Sequence, residues 1–430
     1  MRPAGATATG RYPLLDAPVP VPVRCPADWL PCRPALDLDA HTERFGPAPA
    51  GGGTDLVGTL DRIGLSGRGG GHFPVAAKWR AVHRAAGPGR TPVLVANAAE
   101  GEPASAKDRV LLLRHPHLVL DGLFAAAATL RAGDLVVWLH DGEVAARVAL
   151  TRALTQRHAA GLREPPVRLV TGATGYTGGE SSAVVDALSG GPGRPGFAPV
   201  PSAQRGVHGR PTLVQNVETL ARVALAARTG AERWVDTVLL TVLGDGVRTV
   251  LELPATATLA QAVAAGWVSD QPGPRAVLLG GYGGSWLPWT QAAGLVLAEP
   301  ALRAAGTSLG AGVLVPLPAG ACALAEVAAV AGYLAGSGAG QCGPCRFGLP
   351  AIAAVLADLA AGRAGRGDLR RLARYVGEVD GRGACHLPDG VARFVASALR
   401  AFPAEVATHR RGRPCPGGAY QRLLPVPGRD

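Results

Sequence analysis

The sequence predicts an α/β protein in which a parallel-sheet domain is followed by a small β-rich module and a helical C-terminal region. Between residues 55 and 235, short apolar runs alternate with helical stretches rich in Ala, Leu and Arg. A hairpin pattern follows at 238–253, and only helical patterns occur from 325 onward. The chain has 430 residues, enough for several domains at roughly 150 residues each.

Composition narrows the class of protein. The chain is 47% hydrophobic but only 5% aromatic, with 60 Gly and 37 Pro, so its core consists mainly of Ala, Val and Leu between many turns. The net charge is +11, but arginine is spread along the chain and no basic run is interleaved with aromatics. We therefore expect no nucleic acid, and favour an acidic partner protein or a phosphorylated cofactor.

Lysine is almost absent. Lys78 and Lys107 are the only two, and both lie in motif-like segments of a chain that otherwise uses arginine. An ammonium is a compact point charge whereas a guanidinium is a broad fork, so these positions suggest chemistry that arginine cannot perform. Chance retention is the alternative explanation.

Cysteine usage and hydropathy predict a cytoplasmic protein without a membrane span. An odd number of cysteines, seven, argues against a disulfide scaffold and for a reducing compartment. The N-terminus lacks an apolar core with a cleavage site. Residues 304–325 are uncharged, but Pro316, Pro318 and several glycines favour strands and a turn.

The elements follow in order. Residues 1–54 form a Pro-rich N-terminal leader. In 55–235, apolar strands at 93–96 and 135–139 alternate with helices at 116–132 and 143–159, which is typical of a parallel sheet. Residues 236–300 combine a hairpin, whose turn is Gly244-Asp245-Gly246, with a helix at 259–265, and this pattern predicts a β-grasp module.

The remaining segments complete the predicted organisation. Residues 301–324 are expected to be connecting strands. Four amphipathic helices in 325–405 predict a small bundle. Residues 406–430 are expected to form a flexible tail.

Four polar motifs carry the candidate chemistry. The glycine-rich run 67–71, with Lys78 behind it, can bring backbone N–H groups against a phosphate, although a flexible turn would look the same. Asn97, Glu100 and Glu102 follow a strand, where doubly wound sheets bind ligands. The other two motifs are 176–180 and 211–219. Each alone fits a turn or a helix cap, but their order and spacing make the combination specific.

A fifth motif is Cys342-Gly343-Pro344-Cys345, with Cys385 further along and all three cysteines at helix junctions. A Cys-x2-Cys pair among glycines is typical of a metal site, but such a site needs four ligands. The residue three positions before Cys342 is Ala339.

Together these residues resemble the flavin-bearing, NADH-oxidising F-subunit family of respiratory complex I and the related diaphorase subunits of hydrogenases and formate dehydrogenases. The resemblance covers roughly residues 55–400. It implies an FMN-binding parallel α/β domain, a β-grasp (SLBB-like) domain and a four-helix bundle that carries a [4Fe–4S] cluster. NADH or NADPH would be the substrate.

The resemblance also implies site residues. The cofactor-binding set is Gly67, Arg68, Gly69, Gly70, Phe73, Lys78, Asn97, Glu100, Gly179, Gln215 and Asn216. The residues expected at the reacting centre are Glu102, Tyr176 and Glu180. The cluster ligands are Cys342, Cys345 and Cys385, in the second, third and fourth positions of the family pattern, with 39 residues between the last two.

The chain departs from the family pattern and is a divergent member. Ala99 stands where the family usually has Asp, and Ser181 replaces a second Glu placed near the adenosine ribose. Loss of that carboxylate relaxes discrimination against NADPH. Ala81 and Val200 replace aromatic residues that flank adenine, a loss of roughly 0.5–1.5 kcal/mol each.

Ala339 leaves the first cluster position open. Cys415, slightly ahead of His386, is the expected replacement; an unusual ligand, zinc binding or loss of the cluster are the alternatives. Cys25 and Cys32 are interpreted as free thiols, and Cys322 as a core residue.

The predicted function is an FMN and iron–sulfur oxidoreductase. It passes electrons from NAD(P)H to a ferredoxin-like or quinone-linked acceptor, with companion oxidoreductase subunits, in the cytoplasm or peripheral to a membrane complex. The alternative is a degenerate, non-catalytic docking subunit of a larger electron-transfer complex.

Overall fold

The computed structural model describes residues 14–15, 17–22, 35–49, 55–244, 246–267, 273–413, 415 and 422–427. Cys25, Cys32 and Asp245 therefore lie outside the described residues. The described chain begins with strand β1 (Val19–Pro22) and helices α1 (Leu38–Phe45), α2 (Leu56–Arg62) and α3 (Val75–Ala85).

A four-stranded parallel sheet forms the first domain. Its strands are β2 (Val93–Asn97), β3 (Asp134–His140), β4 (Val167–Gly172) and β5 (Thr212–Asn216). The flanking helices are α4 (Lys107–Arg114), α5 (Pro116–Leu130), α6 (Val144–Ala159), α7 (Ser181–Leu188) and α8 (Val217–Thr229). Strands β2 and β3 are buried on both faces, which explains their continuous apolar runs.

The strand order places a crevice at one edge of this sheet. The order is β4-β3-β2-β5, so the chain moves outward from β2 to β4 and then returns to the other side of β2. Asn97 and Asn216 are register partners at the carboxyl ends of β2 and β5, where the order reverses. Ligands bind at such reversal points in doubly wound sheets.

A second, mixed sheet contains six strands. They are β1 together with β6 (Thr237–Gly244), β7 (Val247–Pro254), β8 (Pro274–Leu279), β9 (Ser285–Pro288) and β10 (Val313–Pro318). Helices α9 (Leu259–Gly266), α10 (Trp289–Ala292) and α11 (Glu299–Ala304) accompany it. The predicted hairpin is present as the antiparallel pair β6–β7.

The sheet differs from the predicted segments at two strands. Strand β10, predicted as one of the connecting strands at 301–324, lies in the centre of the sheet, parallel to β6 and antiparallel to β8. Strand β1, expected to belong to a leader, pairs with β7 at the edge. Val313 and Val315 face the helices while Leu314 faces α9, so β10 is apolar on both faces and must be covered by neighbours.

Helices make up the C-terminal region. They are α12 (Ala323–Gly336), α13 (Leu349–Ala360), α14 (Asp368–Val379), α15 (Leu387–Ala401) and α16 (Pro403–Arg410), with a π-helical turn at Pro344–Gly348. Leu334, Ile352, Leu372 and Phe394 are all buried and share one core with Trp286 of β9.

The C-terminal segment is packed where it is described, which corrects the prediction of a flexible tail over 406–430. Part of it is helix α16, and Leu424 is buried. The backbone N–H groups of Leu423 and Leu424 donate to the buried Glu326 of α12, at 2.7 and 3.0 Å. These two bonds attach the segment to α12. They also satisfy the buried Glu326 carboxylate, which needs hydrogen-bond partners.

Within the described ranges, no single helix is long and apolar enough to cross a membrane, although the bent pair α4–α5, which meets at 95°, reaches that length and composition together.

Candidate functional site

A cavity of about 800 Å³ opens at the carboxyl edge of the parallel sheet. Every residue that the sequence predicted for the flavin and the reacting centre lines it, and so does Cys385. These residues are Gly67, Arg68, Gly69, Gly70, Phe73, Lys78, Asn97, Glu100, Glu102, Tyr176, Gly179, Glu180, Gln215 and Asn216. The structure thus brings four separate sequence motifs around one space.

The glycine-rich loop lies across the start of α8. The Arg68 N–H donates to the Thr219 hydroxyl at 2.8 Å. A Cβ on Gly69 would lie 3.2 Å from the Asn216 Cβ, and Gly70 has a φ of 100°, so glycine allows both the close approach and the turn. The loop then leads into α3, whose first turn begins at Val75.

Lys78 projects from α3 toward the end of β5. Its Nζ donates to the Val214 carbonyl at 2.6 Å. Burial lowers the pKa of Lys78 to about 8. An ammonium with one carbonyl acceptor retains donors for an anion in the cavity.

The strand-end carboxylates have different partners. Glu100 accepts bonds from the Ser105 hydroxyl and from the N–H groups of Asp108 and Arg109, so it holds the start of α4. Glu102 accepts bonds from the N–H groups of Tyr282 at 2.8 Å and Ala104 at 3.3 Å. Burial nevertheless raises the pKa of Glu102 to about 7.

The 176–180 motif closes the opposite side. Glu180 caps α7, with one carboxylate oxygen accepting from the N–H groups of Ser182 at 2.8 Å and Ala183 at 3.2 Å. Tyr176 packs edge-on against Tyr333 of α12, and burial raises its pKa well above the usual value. A Cβ on Gly101 would lie 2.5 Å from the Tyr176 carbonyl, so the two motifs touch through backbone.

A buried ionic network, two of whose members (Lys107 and Asp108) line the cavity, was not part of the predicted site. Lys107 Nζ lies 2.7 Å from Asp108 Oδ1 and 3.0 Å from Glu218 Oε2, and Glu218 also pairs with Arg222 at 2.8 Å. Asp108 accepts a 2.6 Å bond from Asn216. Burial opposes ionisation, but Lys107 and Arg222 hold the pKa of Glu218 at about 2. The sequence feature that could have indicated this network is the pair Lys107-Asp108, shortly after the strand-end motif.

Other lining residues come from elements without a recognisable motif. Arg303 and Thr307 lie on and after α11, and His72 approaches them, with Nε2 3.2 Å from the Gly310 carbonyl. Arg393 of α15 donates to the Gly283 carbonyl at 2.6 Å. Only the three-dimensional arrangement places these segments at the cavity.

Three cysteines lie beside the cavity. Cys342 and Cys345 flank the start of the π-helical turn, and Cys385 precedes α15. Burial raises the pKa of Cys385, and electrostatic interactions with the neighbouring Glu180, Cys342 and Cys345 raise it further. The Gly340 N–H donates to Cys345 Sγ at 3.2 Å.

The prediction of Cys415 as the fourth cluster ligand is wrong in this structure. Cys415 lies with Cys322, which caps the N-terminal end of α12, whereas Cys342 follows its C-terminal end. A helix of 14 residues rises about 21 Å at 1.5 Å per residue. In the part of the chain that the structure describes, Cys415 therefore lies at the opposite end of α12 from the loop that carries Cys342. His386, the other candidate, is 95% exposed next to Cys385.

Two protein-family models match the chain. Residues 60–225 match the Nuo51 FMN-binding domain, and residues 325–409 match the NADH-ubiquinone oxidoreductase-F iron-sulfur binding region. The first covers the four flavin motifs, and the second covers Cys342, Cys345 and Cys385.

Relatives extend these matches over most of the chain. The F 2 subunit of NADH-quinone oxidoreductase from Rhizobium meliloti (strain 1021) is 30% identical over 383 residues, covering 84% of this chain and 90% of the relative. The corresponding F subunit of Streptomyces coelicolor is 30% identical over 384 residues, covering 84% of each. The crystal structure of an NAD+-reducing [NiFe]-hydrogenase in the H2-reduced state has a TM-score of 0.75 and 29% identity, over 87% of this chain but 65% of that one.

These matches confirm the predicted resemblance, the oxidoreductase class and the cofactor set of FMN, a [4Fe–4S] cluster and NADH. The mixed α/β fold with a parallel sheet is confirmed by the structural neighbours. With this identity and coverage, the chain belongs to the family of NADH-quinone oxidoreductase F subunits.

Proposed function

We propose that the chain takes electrons from NADH at the cavity and passes them through the neighbouring cysteine site to an iron–sulfur carrier protein. One observation carries this proposal: the glycine loop, the strand-end carboxylates and Cys385 line the same space. FMN, when bound, accepts a hydride and releases electrons singly. This chain contributes the positioning of the cofactor and the substrate and the electrostatic environment around them.

The cavity residues fit a flavin phosphate and its polar chain. Among the residues that the structure describes, Arg68 Nε, His72 Nδ1 and Gln215 Oε1 are buried without a hydrogen-bond partner, and all three residues line the cavity. Unpaired buried polar atoms are costly unless a ligand satisfies them. With Lys78 and the N–H groups of the glycine loop, they would hold FMN.

The opposite wall suits the nicotinamide. Glu102, Tyr176 and Glu180 face this part of the cavity, and Phe73 at the mouth is 59% exposed, as expected for a surface on which a ring stacks. Ala99 and Ser181 supply no carboxylate there, so we propose weak discrimination between NADH and NADPH.

The cysteine site fits a cluster with three thiolates from this chain. Each iron of a [4Fe–4S] cluster needs one ligand, so the fourth comes from His386, from a non-protein ligand or from a partner. Its position beside the cavity suits electron transfer out of the flavin.

The proposed partners and location of the protein are based on its charge and its family. A net charge of +11 favours an acidic, ferredoxin-like acceptor, and companion oxidoreductase subunits would complete the assembly. The cytoplasm or the periphery of a membrane complex is the proposed location. Within the fold, we propose that β6–β10 correspond to the β-grasp domain and α12–α15 to the cluster-bearing bundle.

Anaerobic purification tests the proposal against the docking alternative. The active protein should contain about one FMN per chain, as expected of a dedicated prosthetic-group site, with an iron–sulfur absorbance shoulder that Cys385→Ser removes. A colourless, folded protein would instead support the non-catalytic docking subunit.

A further inference from the structure

A second group of ligand-type side chains meets far from the cavity. It consists of Cys322 at the start of α12, Glu405 and His409 on α16, and Cys415 beyond that helix. One sulfur, nitrogen or oxygen atom from each lies within 4.8 Å of the other three. We refer to these four residues as the C-terminal cluster.

The spacing of the C-terminal cluster matches a tetrahedral ion. Cys322 Sγ is 3.5 Å from His409 Nε2, and Cys415 Sγ is 3.9 Å from Glu405 Oε1. Zinc bonds of about 2.3 Å to sulfur and about 2.0 Å to nitrogen or oxygen place tetrahedral neighbours roughly 3.5 Å apart. The four ligand atoms would need to move only a little to complete a tetrahedral coordination shell around the ion.

The surroundings already orient the ligand atoms. His409 Nδ1 is 2.8 Å from the Ala360 carbonyl, which can only accept, so Nδ1 carries the proton and Nε2 presents its lone pair to the group. Arg275 binds Glu405 Oε2 at 2.7 Å, and the Leu324 N–H binds Oε1 at 3.2 Å. Such outer partners are typical of metal sites.

Burial and charge agree with a closed site. Cys322 and His409 are each 4% exposed, and the Glu405 side chain is 12% exposed. Two thiolates and one carboxylate would give a divalent ion a net charge of −1, which Arg275 balances. Sulfur and imidazole ligands select zinc over magnesium or calcium.

We propose that the C-terminal cluster binds a structural zinc ion. The ion joins α12, α16 and the C-terminal segment, complementing the bonds from Leu423 and Leu424 to Glu326. Its role is to fasten this segment to the bundle, since four protein ligands leave no open position for chemistry.

Metal analysis of paired variants tests the proposal. We expect about one zinc ion per chain in protein expressed with zinc, as for a four-coordinate structural site. Cys415→Ser should lose the zinc and keep the iron, whereas the control Cys385→Ser should lose iron and keep the zinc. X-ray absorption at the zinc edge should give two sulfur and two lighter neighbours. Circular dichroism and FMN content establish that both variants fold.

Three results would overturn this proposal. The first is zinc-free wild-type protein from zinc-replete cells that resists zinc loading after reduction. The second is zinc that survives Cys415→Ser but disappears in Cys385→Ser. The third is a Cys322–Cys415 disulfide, seen by non-reducing mass spectrometry in protein kept under reducing, anaerobic conditions.

Discussion

At the residue scale, the two lysines have different environments. Lys78 points into the cavity with a single carbonyl partner, whereas Lys107 is enclosed by Asp108 and Glu218. A sequence that otherwise uses arginine therefore retains lysine once for a candidate ligand contact and once for a confined ion network. The sequence marked both positions as unusual but could not separate these roles, because Glu218, the second partner of Lys107, comes from the distant helix α8.

Lys78→Gln should weaken FMN binding. Removal of one charge-assisted hydrogen bond, about 1.5–3 kcal/mol, corresponds to roughly 10- to 100-fold in the dissociation constant. Fluorescence titration of FMN into the apoprotein measures this dissociation constant. Arg80→Gln is the matched control, because Arg80 lies on the same helix and pairs with Asp61 at the surface. Equal affinities in both variants would contradict a phosphate role for Lys78.

Glu102 makes stability depend on pH. Its folded pKa of about 7 lies above the ordinary value of 4.5, so between these pH values the folded state binds more protons than the unfolded state. The free energy of unfolding therefore falls as pH rises from about 4.5 to about 7, by an amount on the order of a few kcal/mol.

Glu102→Gln should flatten that part of the pH profile. Gln cannot ionise, so its contribution to the free energy of unfolding is constant. Urea unfolding of both proteins between pH 5 and pH 8, which are roughly the limits of this titration, measures the effect. An unchanged slope in the variant would show that Glu102 does not titrate in this range.

At the element scale, the structure explains which segments the sequence could predict. Strands β2 and β3 and helices α5 and α6 have strong local patterns, and their predicted positions are confirmed. Strands were predicted at 301–324, but the place of β10 in the second sheet was not, because its pairing with β6 and β8 joins residues far apart in sequence. The position of Cys415 was also predicted wrongly, because no local sequence pattern indicates at which end of α12 this cysteine lies.

The Lys107 network ties α4 to α8, and it should not tolerate arginine. The Lys107 stem packs closely on the Gly312 backbone, where an added Cβ would lie 3.1 Å from the Lys107 Cδ, so the stem has little room to shift for a broader guanidinium. We expect Lys107→Arg to cost about 1–3 kcal/mol from overpacking. We expect Lys107→Met to cost about 3–5 kcal/mol, because the buried Asp108 loses its lysine partner and Glu218 keeps only Arg222. Denaturant unfolding measures both. Wild-type stability in Lys107→Met would refute the structural role.

The loop after α12 should accept a fourth thiolate. Ala339→Cys fills the first position of the family pattern, so iron content and the stability of the cluster to chelators should rise. Cys415→Ala should leave iron content and the EPR spectrum unchanged, because Cys415 lies at the opposite end of α12. Loss of the cluster in Cys415→Ala would mean that the C-terminal segment reaches the loop after all.

At the scale of the whole molecule, the sequence predicted the site residues more accurately than it predicted the domain boundaries. The four flavin motifs converge on one cavity because three of them follow strand ends or precede helices at the same sheet edge. The boundaries at 54, 300 and 406 separate residues that share sheets or cores, because burial depends on contacts between distant segments. Arg303 and Arg393, which line the cavity from α11 and α15, escaped prediction for the same reason.

The most direct test of the central claim is rapid mixing of the anaerobically purified protein with NADH and, separately, with NADPH. The account predicts that the flavin absorbance bleaches with NADH, that NADPH also bleaches it because Ser181 offers no carboxylate, and that the cluster is then reduced. A protein that contains FMN but is bleached by neither nucleotide would contradict the dehydrogenase function.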